Sequence, residues 1–132
     1  MSQVEERKAV RVRCAQEVGQ LAQVLAPLAE ARVNIEAISA VTVNDEGYLQ
    51  VVTDNNRKAI ELWRKAGLVA DEVDVIEVVI PNKAGELATV TAKLRSAKID
   101  IRSCYASAPR GDNSVVWLST SDNREALRKI RG

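Results

Sequence analysis

The stretch Pro81-Asn82-Lys83-Ala84-Gly85-Glu86-Leu87 separates two segments of different periodicity. Before it, residues 75–80 form an almost continuous run of apolar, mostly β-branched residues, which is typical of a buried β-strand. After it, apolar residues recur at helical spacing, at Leu87, Val90, Leu94 and Ala97. The stretch therefore predicts a strand, a short polar turn that ends at Gly85, and an amphipathic helix.

The same pattern occurs earlier in the chain. Gly19 precedes a second helical pattern, with apolar residues at Leu21, Val24, Leu25 and Leu28. Asn34-Ile35 opens the next strand there, as Asp100-Ile101 does later. Gly85 follows Gly19 by 66 residues, and Asp100 follows Asn34 by the same interval. Two features at one offset indicate an internal repeat.

The elements of the first repeat follow the order β-α-β-β-α-β. We predict strands at 9–14, 34–43, 48–53 and 68–70, with helices from residue 20 to 31 and from the Asp54-Asn55-Asn56 cap to Gly67. The predicted fold class is α+β: two tandem ferredoxin-like βαββαβ units, with antiparallel sheets and helices on one face. The predicted domains are residues 1–71 and 72–132.

The second repeat has no obvious last strand, because its last helical pattern, opened by Asp122 and Glu125 as a capping box, runs to Gly132. Its sheet edge is therefore open, or is covered by the N-terminal arm or by another chain. Residues 1–8 are highly charged, and we expect them to be frayed.

Composition excludes several classes of function. The chain has 19 basic and 18 acidic residues, which are interleaved, and 3% aromatic residues, so we expect no nucleic-acid partner. No apolar run approaches a membrane span or the core of a signal peptide, so we expect a cytoplasmic protein without a membrane partner.

Chemistry-bearing residues are also scarce. The chain has no histidine, and its carboxylates and lysines form no recognisable catalytic arrangement, so we expect no enzyme, no catalytic residues, no metal and no cofactor. Cys14 and Cys104 each lie in a predicted strand. We expect buried structural thiols there rather than a disulfide or a reactive pair.

The two turn glycines are candidate ligand-binding positions. A glycine between strand and helix leaves free amides at the helix N-terminus, which attract carboxylates, although a plain βα turn remains an alternative. Within one repeat, the turn and the polar residue that opens the next strand are 15 mostly helical positions apart, which is roughly 20 Å. One repeat therefore cannot enclose a small ligand with both groups, whereas two adjacent repeats can.

The second repeat resembles the core signature of ACT domains: a strand, the turn Pro-Asn-Lys-Ala-Gly-Glu-Leu, a helix, and Asp-Ile at the start of the next strand. The first repeat has the same signature in Gln-Glu-Val-Gly-Gln-Leu and Asn-Ile. The resemblance covers about Ala9 to Arg131 and is to small stand-alone proteins with two tandem ACT domains. It implies a non-catalytic regulatory protein that binds a free amino acid between paired ACT domains. It also implies a homodimer and, as a possible partner, a metabolic enzyme. The alternative is a ligand-free dimerisation or docking module that serves as the regulatory subunit of such an enzyme.

The resemblance also implies the ligand-binding positions, which are Gln16, Val18, Gly19, Gln20, Leu21, Asn34, Ile35, Asn82, Lys83, Ala84, Gly85, Glu86, Leu87, Asp100 and Ile101. The proline that commonly precedes the turn glycine is replaced by Val18 and Ala84. We expect one composite site to join the 82–87 turn to Asn34, and another to join the 16–21 turn to Asp100. The first is expected to bind better, because the charge of Asp100 opposes a nearby carboxylate.

Overall fold

The computed structural model describes residues 3–15, 17–107 and 109–132. These residues form ten elements in the order β1 (Gln3–Ala15), α1 (Gln20–Glu30), β2 (Ile35–Val43), β3 (Glu46–Thr53), α2 (Asn56–Lys65), β4 (Val69–Pro81), α3 (Glu86–Ser96), β5 (Ile101–Ala106), β6 (Asn113–Thr120) and α4 (Asn123–Arg131). They form two compact units. The N-terminal unit comprises residues 8–73, and the C-terminal unit comprises residues 3–7 together with residues 74–132.

The sheet of the N-terminal unit has the order β2-β3-β1, followed by the first residues of β4. The β2–β3 and β3–β1 pairs are antiparallel. One face of the sheet packs with α1 and α2 around a buried core that includes Val10, Val24, Leu28, Val51 and Trp63. The indole N–H of Trp63 donates a 2.7 Å hydrogen bond to the carbonyl of Val24, which joins α2 to α1 inside this core.

The C-terminal unit repeats this arrangement with the sheet order β5-β6-β4, followed by the first residues of β1. Its core includes Ile76, Leu94, Leu118 and Ile130. The predicted cap of the last helix is confirmed, since the side chain of Asp122 accepts a hydrogen bond from the Glu125 amide. The βαββαβ fold that the sequence predicts is thus present twice.

The first residues of the chain differ from the prediction, because residues 3–8 belong to β1 and are not frayed. Val4 is buried in the core of the C-terminal unit. Its carbonyl accepts a 3.0 Å hydrogen bond from Arg131 at the end of α4, and Arg7 forms a 3.0 Å ion pair with Glu77. The charged residues 5–8, which suggested fraying, are consecutive, but they lie in a strand between the buried residues Val4 and Ala9.

The strand boundaries near the middle of the chain also differ from the prediction. The sequence suggests a short strand at 68–70 and a separate strand from residue 74, but β4 runs without interruption from Val69 to Pro81. Asp71 and Glu72 do not break it, because both residues are exposed and an extended backbone continues through polar residues, with buried positions before them at Ala70 and after them from Val75. One part of β4 therefore belongs to each unit.

The four helices are short, with 9 to 11 residues each. Each of the two units contributes a pair of helices that contact one another, α1 with α2 and α3 with α4. Over the described part of the chain, no helix has the length and apolar character of a membrane span.

Candidate ligand-binding site

Each unit has a turn in which a left-handed glycine leads directly into a helix. Gly19 (φ 83°, ψ 0°) precedes α1, and Gly85 (φ 86°, ψ −11°) precedes α3. Neither helix start has a side-chain cap. Since the first amides of a helix have no acceptor inside the helix, these N–H groups face outward and carry the positive end of the helix dipole. The geometry suits a carboxylate at either turn.

The turn of the N-terminal unit opens into a cavity of about 380 Å³. It lies between the start of α1, the end of β1 and the β2–β3 hairpin. The residues that line it are Cys14, Glu17, Val18, Gly19, Gln20, Leu21, Ala22, Ala40, Val41, Thr42, Gly47 and Leu49. Four predicted ligand-binding residues are among them, at positions 18 to 21. Gln16, also predicted, lies outside the described residues.

The cavity walls are mostly apolar. Leu49 is buried at its base, whereas Val18, Leu21 and Val41 are exposed large apolar residues at its rim. Glu17 is the charged side chain among the described residues that line it. No group of three or more Cys, Asp or Glu side chains within the described ranges could hold a metal ion.

The two cysteines lie in different surroundings. Cys14 lines the cavity, is half-buried, and its thiol lies 3.8 Å from the Gly47 carbonyl. Burial raises the pKa of this thiol. The prediction of a buried structural thiol is wrong for Cys104, which is exposed on β5. Its partner across the sheet, Leu118, is buried in the core, but β5 is an edge strand with a neighbouring strand on one side only, and Cys104 stays exposed there.

The turn of the C-terminal unit carries different polar groups. The Asn82 amide N–H donates to the Asp112 carbonyl at 2.8 Å, which fixes the turn against the β5–β6 loop. Ser114 donates its hydroxyl to Oδ1 of Asn82 at 3.3 Å, and the Asn82 side-chain amide keeps its donor hydrogens for an incoming acceptor. Lys83 is exposed beside it, at the position that Glu17 has in the first repeat. Ala84, Glu86 and Leu87 complete this turn and the start of α3.

Asn34 and Asp100 are held by their backbones. The Asn34 N–H donates to the Asp54 carboxylate at 2.9 Å, and the Asp100 N–H donates to the Ser121 hydroxyl at 3.0 Å. Both side chains are exposed. Ile35 and Ile101, which follow them, pack against the hydrophobic cores, so their side chains are turned inward.

The register of the N-terminal sheet gives the separation of the two candidate groups in that unit. Ile35, next to Asn34, pairs with Thr53 at one end of β3. Gly47, which lines the cavity, lies six residues away along β3, or about 20 Å at roughly 3.4 Å per residue. The turn and Asn34 therefore lie at opposite ends of their own sheet, as the length of the intervening helix indicates.

Several cavity residues were not anticipated from the sequence. Two of them, Glu17 and Ala22, come from the turn and the start of α1. The others come from strands: Cys14, Ala40, Val41, Thr42, Gly47 and Leu49. A signal for them was available in β2, because Ile38, Val41 and Val43 are apolar residues that an edge strand leaves exposed. A second signal was Gly47, which lies between the predicted strands at 34–43 and 48–53.

These features define a protein with two tandem βαββαβ units, each with a glycine turn at the start of its first helix. A family model for the ACT domain pair matches residues 8–131, and the chain belongs to this family. ACT domains are a regulatory fold that binds amino acids. No curated protein matches the chain in sequence.

Solved structures show the same fold. Protein BT0572 from Bacteroides thetaiotaomicron has a TM-score of 0.89 at 21% identity, over 97% of this chain and 88% of that one. The regulatory subunit of aspartate kinase from Thermus thermophilus has a TM-score of 0.66 at 15% identity, over 98% and 94% of the two chains. The aspartate kinase of Clostridium acetobutylicum has a TM-score of 0.64 at 16% identity, with 98% of this chain covering 33% of that enzyme. At these identities the similarity is one of fold.

Proposed function

We propose that the protein is a non-catalytic regulator that binds a free amino acid at the glycine turns of its ACT units. The observation that carries this proposal is the uncapped start of α1, which opens into the cavity of the N-terminal unit. The α-carboxylate of the ligand would accept hydrogen bonds from the amides of Leu21 and Ala22 in the first helical turn. The α-ammonium, one carbon away, would pair with Glu17 in the same turn.

The turn of the C-terminal unit supports binding through a different set of groups. Lys83 and the Asn82 side-chain amide are both donors, so we propose that they assist Gly85 and the α3 amides in binding a carboxylate. Because Glu17 and Lys83 have opposite charges, we expect the two turns to differ in their affinity for the same ligand. The two pairings that the sequence predicts, Asn34 with the 82–87 turn and Asp100 with the 16–21 turn, stay predictions.

The proposed protein acts in the cytoplasm as a homodimer that regulates a metabolic enzyme. The alternative, a ligand-free docking module, is favoured by one observation. Ile38, Val41 and Val43 leave apolar surface on the edge strand β2, as a surface that pairs with another protein would. A docking module predicts an enzyme that co-purifies at fixed stoichiometry and no stabilisation by free amino acids.

A thermal-shift series with each of the twenty amino acids tests the proposal. We expect a saturable rise with one amino acid or a few related ones, because a ligand at a hundred times its Kd stabilises the folded state by about 2.7 kcal/mol. A flat response at millimolar concentrations of all twenty would refute ligand binding and favour the docking module.

Gly19→Val and Gly85→Val localise the response. A Cβ at either position meets no atom within 4 Å, but φ is left-handed, so the substitution strains the turn without a steric clash. Gly67→Val is the matched control, since Gly67 has φ 85° and equally open surroundings but follows α2. The ligand-induced shift should be lost in at least one turn variant and kept in the control. Retention in both turn variants would remove the assignment of the site.

A further inference from the structure

The cavity of the N-terminal unit has a side-chain preference of its own. We infer that it selects a neutral amino acid with a branched apolar side chain of valine to leucine size, an inference that rests on the proposed function. Three properties of the cavity carry it: its walls, its charge and its volume.

The walls that face away from the turn are mostly apolar, with Thr42 as the polar side chain among the described strand residues that line the cavity. If the α-carboxylate and α-ammonium of the ligand are held by the α1 amides and Glu17, the ligand side chain points toward the strands. There it meets Ala40 on β2, Leu49 on β3 and Cys14 on β1, which the strand register places on the same, helix-facing side of the sheet. Burial raises the pKa of Cys14, so its sulfur stays a neutral thiol at neutral pH. A branched aliphatic side chain would cover all three and bury apolar surface on both sides of the contact.

The charge of the cavity disfavours acidic and basic ligands. Among the described residues that line it, the one charged side chain is Glu17. An acidic side chain would enter an apolar space without a cationic partner and would add to the negative charge of Glu17. A basic side chain that points toward the strands would place its cation among apolar residues, away from Glu17, and would lose hydration without gaining a carboxylate partner.

The volume of the cavity and the sequence differences between the two repeats also support a small neutral ligand in the N-terminal unit. A volume of about 380 Å³ lies near the lower end of small-molecule sites, which span roughly 300–1,000 Å³, and suits a single amino acid. In the second repeat the positions of Glu17 and Val18 are taken by Lys83 and Ala84. The charge and the rim of the site therefore differ between the repeats, and the inference concerns the N-terminal unit.

Isothermal titration with a panel of amino acids tests the inference. We expect leucine, isoleucine or valine to bind at least about tenfold more tightly than alanine, because each methylene in an apolar pocket contributes about tenfold or more. Aspartate, glutamate and lysine are expected to bind more weakly than the branched amino acids by at least about tenfold.

A charge placed on the wall sharpens the test. Ala40→Lys adds a cation where the ligand side chain would lie, and it should weaken leucine binding by about tenfold or more while improving aspartate or glutamate binding. Val43→Lys is the matched control. Val43 is exposed on the same strand, three residues away, but its side chain is on the opposite face of β2 and outside the cavity, so binding should stay within about twofold of the wild type. Circular dichroism of both variants verifies that they are folded.

The outcomes separate this inference from the proposed function. Binding of an acidic, basic or hydroxyl amino acid in preference to the branched ones would overturn the inference and leave the proposed function intact. Tight leucine binding with equal response to both lysine variants would also overturn it, because the ligand would then lie elsewhere. Absence of binding by every amino acid would overturn both.

Discussion

Replacement of Val4 by alanine tests whether the first residues of the chain stabilise the C-terminal unit. Val4 is 6% exposed and packs in the same core as Ile76, Leu94 and Ile130. The substitution removes two buried methyl groups, each contributing about 0.8 kcal/mol, and leaves a small cavity. We therefore expect the free energy of unfolding of the C-terminal unit to fall by about 2 kcal/mol.

Urea unfolding followed by tryptophan fluorescence measures this effect. The chain has two tryptophans, Trp63 in the core of the N-terminal unit and Trp117 in the C-terminal unit. In a Trp63→Phe background, fluorescence reports on Trp117 alone. The control is Gln3→Ala, an exposed neighbour on the same strand, which should change stability by less than about 0.5 kcal/mol. A loss below that value for Val4→Ala, at an unchanged urea dependence, would refute the placement of residues 3–7 in this core.

Two further predictions concern a buried donor and a surface carboxylate. Trp117→Phe should lower the free energy of unfolding by at least about 1 kcal/mol less than Trp63→Phe does. The reason is that the Trp117 indole N–H is buried without a partner, whereas that of Trp63 makes a 2.7 Å hydrogen bond. Equal losses in denaturant titrations would contradict this. The pKa of the Glu46 carboxyl is held below its ordinary value by the Tyr48 hydroxyl, which donates to it at 2.7 Å, and by the neighbouring Arg13. The stability that this carboxylate contributes is therefore fully present above the ordinary pKa, and it is lost as pH falls through the lowered pKa. Tyr48→Phe should raise the pKa of Glu46 in an NMR titration of its side-chain carboxyl, and an unchanged pKa would argue against the hydrogen bond as the main cause.

The repeat and its elements could be predicted from the sequence because they depend on local patterns. Alternation of apolar residues determines strands, 3.6-residue spacing determines helices, and the glycines at 19 and 85 are the residues that adopt the left-handed turn without strain. The Asp122 cap acts over three residues. The separation of turn and Asn34 also follows from local lengths, because a helix and a strand each have a constant rise per residue.

The cavity and the composition of the two units depend on residues that are distant in the sequence. Arg131 and Val4 are 127 positions apart, and no local pattern indicates that their strand and helix meet. The walls of the cavity come from three strands and a helix, so their lining follows from strand pairing and from which face of each strand is turned toward α1. Cys104 pairs with the buried Leu118 yet is exposed, because its strand β5 lies at the edge of the sheet. Local sequence thus determined the elements and turns of this protein, and tertiary structure decided which distant side chains share a core or a cavity, because burial and strand pairing require both partners to be in place.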